Sequence, residues 1–210
     1  LRIVQRGALV QQSNAVESLS NVTVLCTDKT GTLTANKINY HDVYGVGIEA
    51  AQLKPLLGTF ARSASATNKT SEALIAGLEG DKREPVDEVP FSSALKWSAL
   101  AFDDDAMRGV YVLGALAMLD DHLEISPDVV AQIEQWSDEG LRVLVFAHNP
   151  DVITLHSVGG KPELPALILL GVVSLSDELR PYLKETVAGF SANGIALKVI
   201  SGDNPQTVAA

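Results

Sequence analysis

Cysteine is nearly absent: Cys26 is alone among 210 residues, so no disulfide can form within the chain and a reducing cytosol is the expected compartment. Long apolar runs are missing too. The longest, from Leu164 to about Leu175, is interrupted by Pro165 and Gly171 and falls short of the roughly 20 residues a membrane-spanning helix requires. No basic leader with an apolar run and cleavage site opens the chain, so a secretory signal is not expected. Basic charge is scarce, with 16 Lys and Arg against 26 Asp and Glu. A net charge of -10 argues against a nucleic-acid partner, whose phosphates bind basic patches. The four histidines, His41, His122, His148 and His156, show no metal-ligand spacing and read as surface or loop residues.

What is present is a 46% hydrophobic composition, enough for one sizeable core or two modest ones. The charge is unevenly spread. Residues 37–175 hold 10 positive and 20 negative groups, whereas the flanks together hold 6 and 6. An acidic domain inserted into a neutral one is the simplest organisation.

Val22, Val24, Leu25 and Cys26 read as a buried parallel strand, with Cys26 a small packing residue. The strand stops at the polar string Thr27-Asp28-Lys29-Thr30-Gly31-Thr32, which places Asp28 at the carboxyl end where open α/β sheets bind ligands. Asn39 to Ile48 reads as a bulged hairpin. A helix starting near Lys54, after which Leu56, Leu57 and Phe60 continue the stripe from Leu53, is expected from Pro55, and a second helix from Ser71 to Leu78. Strands are expected at 86–91, 95–102, 109–113, 141–146 and 166–173, with a helix opened by Ser126-Pro127 and stopped at Gly140. A helix from Glu178 to Asn193, with Asp177 as its N-cap, then leads to a strand at 195–200 and the loop Ser201-Gly202-Asp203-Asn204-Pro205.

The seven residues Asp28-Lys29-Thr30-Gly31-Thr32-Leu33-Thr34 are identified as the signature of P-type ATPases, and the run from Cys26 to Lys37 resembles that family throughout. A carboxylate is ionised at neutral pH and attacks a γ-phosphoryl group without a general base, giving an acyl phosphate. Gly31 lets the backbone approach the phosphoryl group, whose charge loop amides stabilise, and Lys29 would add positive charge. Soluble phosphatases of the haloacid-dehalogenase-like superfamily resemble this motif but usually carry an Asp where this chain has Thr30. Threonine cannot act as a carboxylate base, which suits a persistent phosphoenzyme.

The remaining assignments follow from the resemblance. Ser201-Gly202-Asp203 looks like the second phosphate motif, and Asp177 and Arg180 resemble the family hinge. Pro90 to Lys96 resembles the adenine-binding string, with Phe91 stacking on the base and Lys96 facing the nucleotide. Gly114 belongs to a further nucleotide string. Arg142 would pair with the phosphates, which its planar fork suits. Where the family usually has a lysine beside the nucleotide this chain has Leu113, an apolar wall at best, so Leu113→Lys would be expected to tighten ATP binding. The acidic residue expected in the earlier helix has only Glu72 as a shifted candidate.

The implied fold class is α/β: a partial haloacid-dehalogenase-like, Rossmann-like phosphorylation domain (1–36 and 176–210) with an inserted α+β nucleotide-binding domain (37–175). The implied function is the ATP-binding, phosphoryl-accepting part of a cation pump at the cytoplasmic face of a membrane. Its implied ligands are ATP and Mg2+, the metal bridging Asp28, the Thr30 carbonyl and phosphate oxygens. Its implied partners are the transmembrane helices, the actuator domain and the rest of the phosphorylation domain, without which the chain is not expected to turn over ATP. A soluble haloacid-dehalogenase-like phosphatase and a non-catalytic nucleotide-binding module are the alternatives.

Overall fold

The computed structural model describes residues 20–200. The expected Ser201-Gly202-Asp203 loop lies outside them. The described residues divide into two compact units, one made of 20–35 and 179–200 and the other of Asn36–Glu178.

The first unit holds strand β1 (Val24–Asp28), a tight loop (Lys29–Leu33), helix α5 (Leu183–Ala192) and strand β8 (Ala196–Ile200). β1 and β8 pair in parallel, with Val24 opposite Ala196 and Asp28 opposite Ile200. The expected burial of β1 is corrected: Val24 is 45% exposed, and Cys26 is exposed rather than packed. A pair of strands has too little surface to bury both faces of either, and α5 contributes no buried residue.

The second unit is a six-stranded sheet ordered β2 (Thr34–Gly45), β7 (Ile168–Leu179), β6 (Arg142–Asn149), β5 (Met107–Gly114), β4 (Trp97–Asp104), β3 (Asp87–Val89), antiparallel from β7 to β3. Side chains alternate between its faces, and both faces are apolar. Ala99, Ala101, Val110, Val112, Val145 and Ala147 enter one core. Leu100, Phe102, Tyr111, Leu113 and Phe146 enter the other. An antiparallel sheet commonly leaves one face to water, but here both must be covered. Helices α1 (Ala50–Ser63) and α2 (Lys69–Gly77) cover one face through Leu53, Leu57, Phe60 and Leu74. Helix α4 (Pro127–Asp138) covers the other through Val129 and Trp136, after the short α3 (Leu116–Leu119).

Several expected boundaries move. Residues 39–48 form no hairpin, because β2 runs unbroken to Gly45 beside β7. α1 begins at Ala50, so Pro55 is inside it. Pro55 and Ala51, whose carbonyl the missing N–H would have served, are both exposed, leaving water to take that bond. α2 opens with a capping box in which the Asn68 side chain accepts from the Ser71 amide at 3.0 Å and Ser71 Oγ accepts from the Asn68 amide at 2.8 Å. Asp177 is not a helix cap. It lies in β7, and α5 waits until Leu183, because Pro181 disfavours helical backbone at Arg180 and Tyr182 is left-handed at φ 63°.

Asp87 ties the 155–163 hairpin to β3. Burial opposes its ionisation, but the Leu155 amide at 2.7 Å, His156 Nδ1 at 2.9 Å and the Glu88 amide at 2.9 Å outweigh it and hold the carboxyl below the usual carboxylate range. A depressed folded-state pKa stabilises fully above the unfolded value of about 4 and is lost as pH falls through the folded value. Urea denaturation from neutral pH to about pH 3 should show Asp87→Asn less stable when neutral and less sensitive to acid than the native chain. In the same assay Phe146→Ala, which empties a site packed by Phe60 at 5.5 Å and Tyr111 at 6.0 Å, should cost about 3–5 kcal/mol.

Candidate functional site

In the first unit, β1 delivers Asp28 to its carboxyl end with an exposed side chain, beside Ile200 at the end of β8. The chain then turns sharply. The Thr30 amide points at Asp28 Oδ1 (3.4 Å), and Gly31 sits at φ 79°, a conformation that a side chain disfavours. The Gly31 amide donates to Thr34 Oγ1 (3.1 Å), and the Thr34 amide donates back to the Lys29 carbonyl. Arg180 closes the loop from 149 residues away: its Nη2 donates to the Gly31 carbonyl (2.7 Å) and its amide to the Leu33 carbonyl (3.0 Å). Thr32 and Thr30 are exposed. Lys29, expected to add positive charge near Asp28, is buried at 8% exposure.

Sequence reasoning did not single out Thr34. It ends the recognised string, but only the fold shows its hydroxyl buried at 1% exposure and accepting from Gly31.

In the second unit, Lys96, Gly114 and Arg142 stand at one end of the sheet, where β4 begins, β5 ends and β6 begins. Phe91 precedes β4 and is half exposed, outside both cores. A turn follows, in which the Lys96 amide donates to the Ser92 carbonyl (2.8 Å) and the Leu95 amide to Ser92 Oγ (3.2 Å). Lys96 is exposed with φ 56°. Gly114 lies opposite Trp97, whose Cβ would be 2.5 Å from a Cβ placed there, so close strand packing demands glycine. Arg142 is half-buried, with Nη2 3.7 Å from Asp177 Oδ2.

Leu113 is corrected: it is 6% exposed in the core with Phe146 and Tyr111, not a wall beside a ligand. Glu72 is exposed in the first turn of α2. Glu178, also not singled out, accepts from Lys37 Nζ (2.8 Å) and Asn39 Nδ2 (3.5 Å), and these hydrogen bonds hold its carboxyl below the usual range. Its only sequence signal was its place beside Asp177.

The donor types fit the implied ligands. Asp28 and the Thr30 carbonyl are hard oxygen donors, and Mg2+ commonly takes one or two protein oxygens with phosphates and water completing its shell. Among the described residues no group of three or more His, Cys, Asp or Glu could hold a metal by itself. Phe91 offers an exposed ring, while Lys96 and Arg142 offer cations.

The chain is 32% identical over 214 residues to the calcium-transporting ATPase CtpE of Mycobacterium tuberculosis, a match covering all of this chain and 25% of that protein. It is 32% identical over 213 residues to the probable cation-transporting ATPase exp7 of Streptococcus pneumoniae, and 28% identical over 237 residues to magnesium-transporting ATPase, P-type 1, of Salmonella typhimurium. Over nearly its whole length the chain is similar to P-type cation-transporting ATPases. No family model matches it. It spans about a quarter of the length of these P-type relatives. Two solved structures of a zinc-transporting PIB-type ATPase, in two different states, are similar in fold, with TM-scores of 0.61 and 0.60 at 22% identity. Each covers 99% of this chain with 30% of its own. The expected mixed α/β fold class is borne out. Among the described residues no helix is long and apolar enough to cross a membrane.

Because Phe91 is in neither core, Phe91→Ala should change stability by less than about 1 kcal/mol while weakening adenosine and ATP binding alike in titration calorimetry. Leu113→Lys should instead cost about 2–4 kcal/mol by burying an ammonium, with no tighter ATP binding.

Proposed function

We propose that this chain is the ATP-binding, phosphoryl-accepting part of a P-type cation pump, with Asp28 as the phosphorylated residue. The observation that carries the reading is the exposed Asp28 carboxylate at the end of β1, followed by a loop that Gly31, Thr34 and Arg180 hold in one shape. Residues 1–36 and 176–210 act as the phosphorylation domain, and 37–175 as the nucleotide-binding domain. Phe91 stacks on adenine, Lys96 and Gly114 line the nucleotide, and Arg142 meets its phosphates.

A carboxylate oxygen of Asp28 attacks the γ-phosphorus of ATP. The new oxygen–phosphorus bond forms as the bond to the β,γ-bridging oxygen breaks, and ADP leaves with the electron pair. Asp28 and the Thr30 carbonyl would hold Mg2+, which would neutralise phosphate charge. The Thr30 amide, already aimed at Asp28, supports the transferred group. With threonine and not a carboxylate at position 30, no side chain there activates water, so the aspartyl phosphate persists. Ser201, Gly202 and Asp203 follow Ile200 and complete the phosphate site in this reading, and Asp177 and Arg180 form the hinge.

The relatives' names carry calcium, magnesium and cations in general, so the reading extends to cation transport and no further. Its remaining partners are the transmembrane helices and other domains of a pump, with this chain on the cytoplasmic face. The full-length pump incubated with γ-labelled ATP and Mg2+ should retain label through acid quench and lose it to hydroxylamine. Acid-stable label surviving in Asp28→Asn overturns the assignment.

A further inference from the structure

Arg142 and Asp177 enter the functional reading separately, one as a phosphate ligand and the other at the hinge. Inside Asn36–Glu178 they meet. Arg142 opens β6 opposite Leu175 of β7, and Asp177 lies two residues further along β7. A spacing of two returns to the same face of the sheet, and diagonal neighbours on one face are within reach of a long side chain. The Arg142 Nη2 to Asp177 Oδ2 distance is 3.7 Å, with side-chain exposures of 33% and 11%.

That geometry is informative in two ways. At 3.7 Å this contact is an ion pair longer than the roughly 2.7–2.9 Å of a charge-assisted hydrogen bond. The guanidinium is also the more exposed partner and can be approached by a ligand. A carboxylate attracts it with one charge, whereas a nucleotide phosphate chain brings several and matches its fork bidentately.

We propose that Asp177 serves as an internal anion for Arg142, which a nucleotide phosphate displaces on binding. Arg142 is thereby handed from a carboxylate of β7 to the ligand, and nucleotide occupancy changes the charge balance of the strand that leads to Arg180. The proposal rests on the reading of 37–175 as a nucleotide-binding domain. A carboxylate that merely oriented Arg142 for phosphate would have the opposite effect on affinity.

Titration calorimetry of ATP and adenosine into the 210-residue chain, in buffer containing Mg2+, separates these cases. Asp177→Asn should bind ATP about three- to tenfold more tightly and adenosine unchanged. In an Arg142→Met background, where ATP binding is already weaker, adding Asp177→Asn should have no further effect. Unchanged or weaker ATP binding by Asp177→Asn overturns the proposal. If that occurs while Phe91→Ala still weakens both ligands, the nucleotide-binding reading stands and only the displacement falls. If neither ligand binds the native chain, both fall. Should Asp177→Asn fail to fold, NMR of the native chain decides: ATP, but not adenosine, should move the Arg142 Nε–Hε resonance and the Asp177 side-chain carboxyl carbon. Signals unmoved at ATP saturation overturn the proposal.

Discussion

The alternation of apolar side chains to both faces of β4, β5 and β6 is the constraint on which the second unit depends. Leu100 and Phe102 go to one side while Ala99 and Ala101 go to the other, so neither face can be left to water. Helices α1 and α2 must therefore lie on one face and α4 on the other. A sheet clamped in this way has strand ends of fixed position, and those ends carry Lys96, Gly114 and Arg142. Lys96 is exposed and Arg142 half-buried, while Gly114 is buried between them; the end of a clamped sheet is where binding side chains can be both accessible and pre-positioned.

The first unit is organised differently. Its described residues form a pair of parallel strands with little burial and exposed apolar residues such as Val24, Tyr182 and Ile200. Its order comes from hydrogen bonds concentrated around one loop. Gly31 supplies the backbone conformation, Thr34 accepts its amide, and Arg180 holds its carbonyl. These contacts leave Asp28 exposed and the Thr30 amide aimed at it. For a nucleophile that needs no base, a fixed loop and an accessible carboxylate are the principal requirements.

The loop-forming string was legible because its chemistry is local. A reactive carboxylate, a glycine for the turn and threonines for hydrogen bonding must follow one another in the chain, so they appear as a contiguous string. The strands of the acidic segment were legible because period-two apolar patterning is local as well. Boundaries were less so. Pro55 reads as a helix start, yet α1 reaches back to Ala50 because water can serve the carbonyl that proline leaves unpaired. Asp177 reads as a cap, yet pairing with a neighbouring strand carried β7 through it.

By itself the sequence determined the recognised string from Asp28 to Thr34, the α/β class and the acidic character of residues 37–175, all of which reside in composition or in near neighbours along the chain. Tertiary structure alone decided that Lys29 and Leu113 are buried, that Cys26 is not, that Arg180 clasps Gly31, and that Arg142 faces Asp177. Burial and long-range pairing depend on which surfaces the folded chain brings together. Residues 149 positions apart in sequence, such as Gly31 and Arg180, carry no local pattern that announces their contact.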